Sequence, residues 1–298
     1  MRLMLLLAMM FVMFGCGKPH VTPVPDPVPD PNPVPTTSVA KAVLAGINAY
    51  PRAPLSGCIN DVLEAKAFLL AEGFKEENII LLTDQAATRK AIMEKLEWLV
   101  KDAKAGDLRY FHFSGHGTEF AGRDLDKQPD GLNQVICPYD FNWTADTMIM
   151  DVDFVDVFKK MPDGVIFNWA SDSCHSGDLT RLIPKPNEKI RQYPNIPPDV
   201  KQQIEKARKA NLKRRGFVGG LLDVGFISGC RYDQTSADAY INGKNCGAMT
   251  HFLFESLKAN RNNPLTSLVA DMNNRLMANG YDQQPQAKGA RVSKPFLK

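Results

Sequence analysis

The 298-residue sequence predicts an α/β fold, with a mostly parallel central sheet and helices on both faces. Three observations carry that expectation. From Ala42 onward, short β-prone runs alternate with helix-patterned stretches. The runs are apolar almost throughout, as strands buried on both faces are, and not alternating as half-exposed strands are. The intervening stretches reach ten residues or more, enough for the crossover helices that parallel neighbours require.

Taken in order, Ala42–Ile47 (AVLAGI) reads as the first strand and Asn60–Ala71 as an amphipathic helix. Asn78–Leu82 (NIILL) is a second strand and Ala87–Lys104 a longer helix. Leu108–Phe113 (LRYFHF) is a third strand, Asp151–Lys160 a helix and Gly164–Ala170 (GVIFNWA) a fourth strand. The stretch Glu188–Arg215 is punctuated by proline and then basic, and reads as an exposed linker with a helix near Asp199–Ala210. Val224–Ser228 is a strand, Gly247–Lys258 and Leu265–Met277 are helices, and a short last strand lies near Gln286. No internal repeat is present.

Length fits two domains or one large α/β domain with appendages. At 44% hydrophobic and 23% charged, the composition excludes a wholly disordered chain or a disulfide scaffold. The net charge of +3 is too small for a global nucleic-acid binder, but it is uneven. Lys185–Arg215 holds ten Lys/Arg against three Asp/Glu, which leaves the remainder at −4. Six cysteines without a CxxC pair exclude a zinc ribbon and a thioredoxin motif.

Arg2, the apolar run Leu3–Phe14 and Gly15-Cys16 describe an export signal. Twelve helical residues span about 18 Å, short of a hydrocarbon core of about 30 Å. The segment resembles a bacterial lipoprotein signal, which would make Cys16 the lipidated mature N-terminus. Eight of the seventeen residues from Pro19 to Pro35 are proline, a composition that favours polyproline II. At about 3.1 Å per residue it would hold a domain some 50 Å from a membrane. The protein is therefore expected to be exported and membrane-anchored on the periplasmic or cell-surface side, or otherwise secreted.

Chemistry concentrates at two strand ends. The third strand runs into Ser114-Gly-His-Gly117 and the fourth into Asp172-Ser-Cys-His-Ser-Gly177. Open parallel sheets gather functional groups beyond the carboxyl ends of their strands. Cys174 lies 58 residues after His116, enough for one crossover and an inserted hairpin, so the two can stand on neighbouring strands. A thiol beside an imidazole becomes a thiolate nucleophile, and the imidazolium then protonates the leaving amine. Gly117 and Gly177 leave room for a substrate backbone, and the N–H groups of Gly117 and Cys174 would stabilise a tetrahedral oxyanion.

These motifs resemble the metacaspases, within the caspase-like cysteine peptidases. Gly57-Cys-Ile-Asn-Asp61, the stretch Ser228-Gly-Cys-Arg-Tyr-Asp-Gln-Thr-Ser-Ala-Asp238 and Gln284-Pro-Gln286 extend the likeness across the folded part. The resemblance implies a caspase-like fold, a His116–Cys174 dyad and cleavage after Arg or Lys. Asp61 and Asp172 fall where the family lines the pocket for the residue before the scissile bond, and carboxylates there would pair with a cationic side chain. Asp233 is a further neighbour of that cleft. The likeness divides the chain into a signal (1–16), a proline-rich tether (17–38) and a peptidase domain (39–298). Within the domain it distinguishes a large-subunit part (39–184), a basic linker (185–216) and a small-subunit part (217–298). An Arg/Lys-specific enzyme would process itself in that linker, after Lys213, Arg214 or Arg215.

Many metacaspases need calcium, and Asp140, Asp151 and Asp153 are the positions that resemble part of such a site. Val152 interrupts the acidic pair, Arg181 stands where another Asp is often found, and the cysteine chemistry itself requires no cofactor. His112 and His251 read as packing residues, His175 has no assigned role, and Cys58, Cys137, Cys230 and Cys246 read as buried thiols. Partners are protein or peptide substrates and a membrane. Nucleic acid is not expected, because the basic linker lacks interleaved aromatics. The alternative to an enzyme is a catalytically silent caspase-like binding module on a tether.

Overall fold

The computed structural model of the protein describes residues 38–121, 131–174, 189–210, 224–231 and 233–298. The signal segment with Cys16, nearly all of the tether, Arg181 and the candidate cleavage residues Lys213, Arg214 and Arg215 lie outside the described residues.

In chain order the described strands are β1 (Ala40–Gly46), β2 (Ile79–Thr83), β3 (Leu108–Ser114), β4 (Gly117–Ala121), β5 (Leu132–Ile136), β6 (Ile149–Met150), β7 (Ile166–Asp172), β8 (Lys189–Ile190), β9 (Val224–Ser228), β10 (Ala237–Ile241), β11 (Lys244–Gly247) and β12 (Gln286–Lys288). The α-helices are α1 (Cys58–Ala71), α2 (Arg89–Val100), α3 (Asp151–Phe158), α4 (Pro198–Ala210), α5 (Ala248–Ala259) and α6 (Leu265–Ala278). The central sheet has six strands in the order β12-β9-β7-β3-β1-β2, all parallel except the antiparallel β12.

Pleating divides each central strand between two cores. Val43, Phe111 and Trp169 face α2 and α3, which contribute Ile92, Leu96, Phe154 and Val157. Leu44, Tyr110 and Ile227 face the other way, onto Val62 of α1, Leu253 of α5 and Leu268 of α6. Burial of both faces accounts for the unbroken apolar runs. The helices start where the sequence supplies caps. Thr88 accepts the Ala91 N–H at 3.2 Å ahead of α2, and the Asp153 carboxylate reaches back to the Met150 N–H at 2.8 Å ahead of α3.

Two small antiparallel sheets are added at the carboxyl edge of the central one. The inserted segment after β3 pairs as β4-β5-β6, one strand more than a hairpin, and the other sheet has the order β11-β10-β8. The basic linker differs from expectation. Its start is not an exposed loop: Arg191 is 0% exposed and Gln192 and Tyr193 are nearly as buried. The reason is pairing. Lys189 and Ile190 form an antiparallel bridge to Asp238 and Ala237 of β10, which draws the following residues inward. Farther along, Val200 and Ile204 seat α4 on Ala121 and Leu132, and Arg208 pairs with Glu119 at 2.6 Å.

Candidate active site

The parallel register of β3 and β7 sets Ser114 opposite Asp172. His116 and Cys174 each follow two residues later, so the two loops leave the sheet side by side. The Gly115 N–H joins them by donating to the Asp172 carbonyl at 3.3 Å.

His116 is fixed from several sides. Its backbone N–H donates to the Tyr50 hydroxyl at 3.0 Å, and its ring packs on Tyr50 and Tyr193, with centroids 4.6 and 5.5 Å away. Nε2 lies 2.7 Å from the Ala53 carbonyl oxygen. A carbonyl can only accept, so Nε2 carries the hydrogen and Nδ1 is the basic nitrogen. Nδ1 is buried and has no hydrogen-bond partner among the described residues. Burial pushes the imidazole down to about 4, helped by the Arg191 guanidinium and opposed by the carbonyls of Ala53 and Arg191. It is therefore a neutral base at physiological pH.

Cys174 is fully buried. Its Sγ accepts the Ser236 N–H at 2.7 Å and lies 3.5 Å from the Ser236 carbonyl oxygen. Among the described residues no hydrogen bond joins it to His116. The N–H groups of Gly117 and Cys174 converge on one atom, the Arg191 carbonyl oxygen, at 3.0 and 3.2 Å. They are the same two donors that the sequence suggested for an oxyanion.

The Arg191 side chain fills an acidic pocket. Its Nη2 lies 2.7 Å from Asp61 Oδ2 and 3.0 Å from Asp238 Oδ1, and Nη1 lies 3.2 Å from Asp172 Oδ2. Nη1 also donates to Ser114 Oγ at 2.7 Å. The carboxylates are held by other donors as well. Asp61 accepts from Gly247 N and Ser114 Oγ. Asp172 accepts from Thr250 N, Thr250 Oγ1 and Ser236 Oγ. Asp238 accepts from the N–H groups of Ser56 and Gly57. Burial and the neighbouring Asp172 push the Asp61 carboxyl up to about 6, against the pull of Arg191. Burial alone would depress Arg191, but the charges of Asp172, Asp61 and Asp238 outweigh it and hold the guanidinium well above its ordinary range. Gly247 gives the pocket its width, since a Cβ there would strike both the Asp172 carboxylate and the guanidinium.

Thus Asp61 and Asp172 meet in one pocket, and Asp238 joins them from the small-subunit motif. Asp233 does not; it pairs with Arg231 at 2.9 Å. Sequence reasoning also missed Arg191, Ser114, Tyr50, Ala53 and Gly247. Ser114 and Asp238 stood inside motifs already singled out. Arg191 was hidden by the basic character of its neighbourhood.

The calcium candidates are divided between a turn, which carries Asp140, and the first turn of α3, which carries Asp151 and Asp153. Asp140 accepts the Arg89 N–H at 2.8 Å ahead of α2. Asp151 accepts from Asn133 Nδ2 and Val152 N, and Asp153 caps α3 and faces Arg89 at 3.6 Å. Among the described residues no three His, Cys, Asp or Glu side chains stand together as a metal site needs. These three positions do not fit a calcium site by themselves. The five described cysteines, including Cys58, Cys137, Cys230 and Cys246, are buried free thiols.

A mostly parallel sheet with a histidine and a cysteine on adjacent strand ends defines a caspase-like domain. The comparisons agree. Residues 40–183 match the metacaspase, peptidase C14 domain. Metacaspase-1 of Candida albicans is 33% identical over 290 residues, covering 83% of this chain and 64% of that protein. Metacaspase-1 of Scheffersomyces stipitis is 33% identical, covering 83% of this chain and 69% of that one. A crystal structure of a Geobacter sulfurreducens protein shares the fold, with a TM-score of 0.63 at 23% identity over 87% of this chain and all of that one. The chain belongs to the metacaspase family, and it spans about two thirds of the length of the curated relatives it matches.

Proposed function

We propose that the protein is a cysteine endopeptidase that cleaves after Arg or Lys, with Cys174 as nucleophile and His116 as general base and acid. One observation carries the reading. A guanidinium is buried against Asp61, Asp172 and Asp238 while the carbonyl of the same residue accepts from the N–H groups of Gly117 and Cys174. A pocket for an acidic side chain would need the opposite charge. Arginine meets three carboxylates with a fork of donors, and lysine would meet them as a point charge.

In this mechanism Nδ1 of His116 takes the thiol proton, and Sγ attacks the carbonyl carbon of the bound residue. Gly117 and Cys174 hold the oxyanion, and such donors are worth most in a buried site of low dielectric. The imidazolium protonates the leaving amine, and water assisted by His116 then hydrolyses the thioester. The chemistry needs no cofactor, and no step runs through calcium. The export signal, lipidation at Cys16 and the proline tether complete the proposal, placing the enzyme on the outer side of a membrane.

The test uses the full purified chain under reducing conditions, with and without calcium. Fluorogenic peptides ending in Arg, Lys or Asp are compared against a Cys174→Ala control. Turnover of the Arg and Lys peptides, lost in the control, is the expected result. Turnover of the Asp peptide alone would overturn the pocket assignment. No turnover from folded protein would leave a silent binding module. Detergent-phase partitioning lost in Cys16→Ser would support the lipid anchor.

A further inference from the structure

We propose that Thr250, backed by His112 and Tyr110, positions the Asp172 carboxylate for one arm of a guanidinium and so lets the pocket tell arginine from lysine. The inference rests on the peptidase reading above and deepens it by naming positioning residues that touch no substrate. Alternation along β3 turns Tyr110, His112 and Ser114 to one face, and each is at most 1% exposed. Ser114 Oγ donates directly to Asp61 at 2.6 Å. The other two reach Asp172 through Thr250. The Tyr110 hydroxyl lies 2.8 Å from His112 Nδ1, and His112 Nε2 lies 3.3 Å from Thr250 Oγ1. Thr250 Oγ1 lies 2.8 Å from Asp172 Oδ2, the oxygen that faces Arg191 Nη1 at 3.2 Å. Thr250 and Phe254 stand one turn apart on α5, and Phe254 stacks on the His112 ring with centroids 6.1 Å apart.

The carboxylate sets the direction of every bond behind it. A carboxylate only accepts, so Thr250 turns its hydroxyl proton toward Asp172. Thr250 Oγ1 is then the acceptor for His112 Nε2–H, and Nδ1 is left to accept from the Tyr110 hydroxyl. Burial pushes the imidazole down to about 4, so the ring is neutral at physiological pH and one tautomer satisfies both neighbours. Packing alone would be served by an apolar side chain. Three polar side chains buried in a row carry a desolvation cost that only full pairing offsets. Orientation is what this pairing supplies. Asp61 and Asp238 both meet Nη2 of the guanidinium, and Asp172 meets Nη1. An ammonium is a single point that Asp61 and Asp238 can hold by themselves, whereas a guanidinium has two arms and uses all three carboxylates. A loosened Asp172 therefore weakens arginine more than lysine.

The experiment measures kcat and KM of the full chain on matched Arg and Lys peptides, for wild type, Thr250→Val, Thr250→Ser and Tyr110→Phe. Alkylation of Cys174 by iodoacetamide, a small reagent that does not use the pocket, is followed in parallel. In Thr250→Val, KM for the Arg peptide should rise about ten-fold, the loss of one hydrogen bond to a charged group. KM for the Lys peptide should rise no more than about three-fold, with kcat and alkylation close to wild type. Thr250→Ser keeps the hydroxyl and should restore the Arg-to-Lys ratio. Nitrogen NMR of isotope-labelled histidine, assigned with His112→Asn, should show His112 protonated at Nε2 and bare at Nδ1. The opposite tautomer would overturn the order of donors and with it the proposal. An unchanged Arg-to-Lys ratio in folded Thr250→Val would also overturn it and leave the peptidase reading standing. Equal losses on both peptides, with slower alkylation, would reduce Thr250 to a structural residue. Should Thr250→Val fail to fold, the ratio in Tyr110→Phe decides, a fall supporting the proposal and constancy overturning it. No turnover of either peptide by folded, reduced wild type would defeat both readings.

Discussion

The Tyr50 hydroxyl ties His116 to Cys137: it accepts the His116 backbone N–H at 3.0 Å and donates to the Cys137 carbonyl at 2.7 Å. Burial pushes this phenol far above its ordinary range, so it stays a donor at every working pH. Tyr50→Phe leaves a buried N–H and a buried carbonyl without that partner, a loss of roughly 1–3 kcal/mol. The expected outcome is a lower denaturation midpoint and a fall in kcat larger than any change in KM. An unchanged kcat would show that the hydroxyl does not set the position of His116.

Asp238 was not among the residues first chosen for the pocket, yet it contacts the guanidinium and takes two backbone N–H groups. Asp238→Asn removes one of three charges facing the basic side chain while keeping the shape. Peptides ending in Arg should lose about ten- to a hundred-fold in kcat/KM, chiefly through KM, in line with roughly 1.5–3 kcal/mol for a charged hydrogen bond. Steady-state kinetics on matched Arg and Lys peptides checks this.

Gly247→Ala places a methyl group where the guanidinium and Asp172 lie. Overpacking of this kind costs about 1–3 kcal/mol. The variant should fold less stably and lose most turnover of Arg peptides. Full activity would mean that β11 shifts freely, which competitive inhibition by an arginine-type ligand would also register.

Stability should rise with pH between about 4 and 6.5. Burial lowers both His112 and His116 to about 4, so over that window the unfolded chain binds two protons that the native chain refuses. Asp61, raised to about 6, works in the opposite direction because the native form there holds a proton that the unfolded form has lost. Two against one leaves a net slope of about 1 kcal/mol per pH unit. Urea unfolding of Cys174→Ala at pH 5 and pH 6.5 measures it. His112→Asn should flatten the slope, and an unchanged slope would remove the histidine explanation.

Much of the fold was legible because burial on both sheet faces leaves a mark in one dimension. The strand expected at Val224–Ser228 is found at those residues, and β3 and β7 are each carried to a motif that the sequence displays. His116 and Cys174 were legible for the same reason, being tied to strand ends. The pocket was only half legible. Asp61, Asp172 and Asp238 meet through strand order and the placement of α1, and nothing local at Asp238 distinguishes it from Asp233. Strand β8 was invisible, since two residues have no periodicity and exist as a strand only through β10. The burial of Arg191 runs against its neighbourhood, where lysines and arginines read as a solvated face until three carboxylates are brought to meet one of them.

The position of β9 has a consequence for how a severed chain would behave. It lies between β7 and β12 in the six-stranded sheet, so the two pieces on either side of residue 191 share one continuous hydrogen-bonded layer. Helices α5 and α6 likewise interlock with α1 in a common apolar interior. A break in the segment between β7 and β9 would therefore leave a nicked molecule and not two fragments. It would elute from a sizing column at the volume of the intact protein and come apart only in denaturant. Such a cut would thus be silent to any native measurement of size, with no part of the protein being lost.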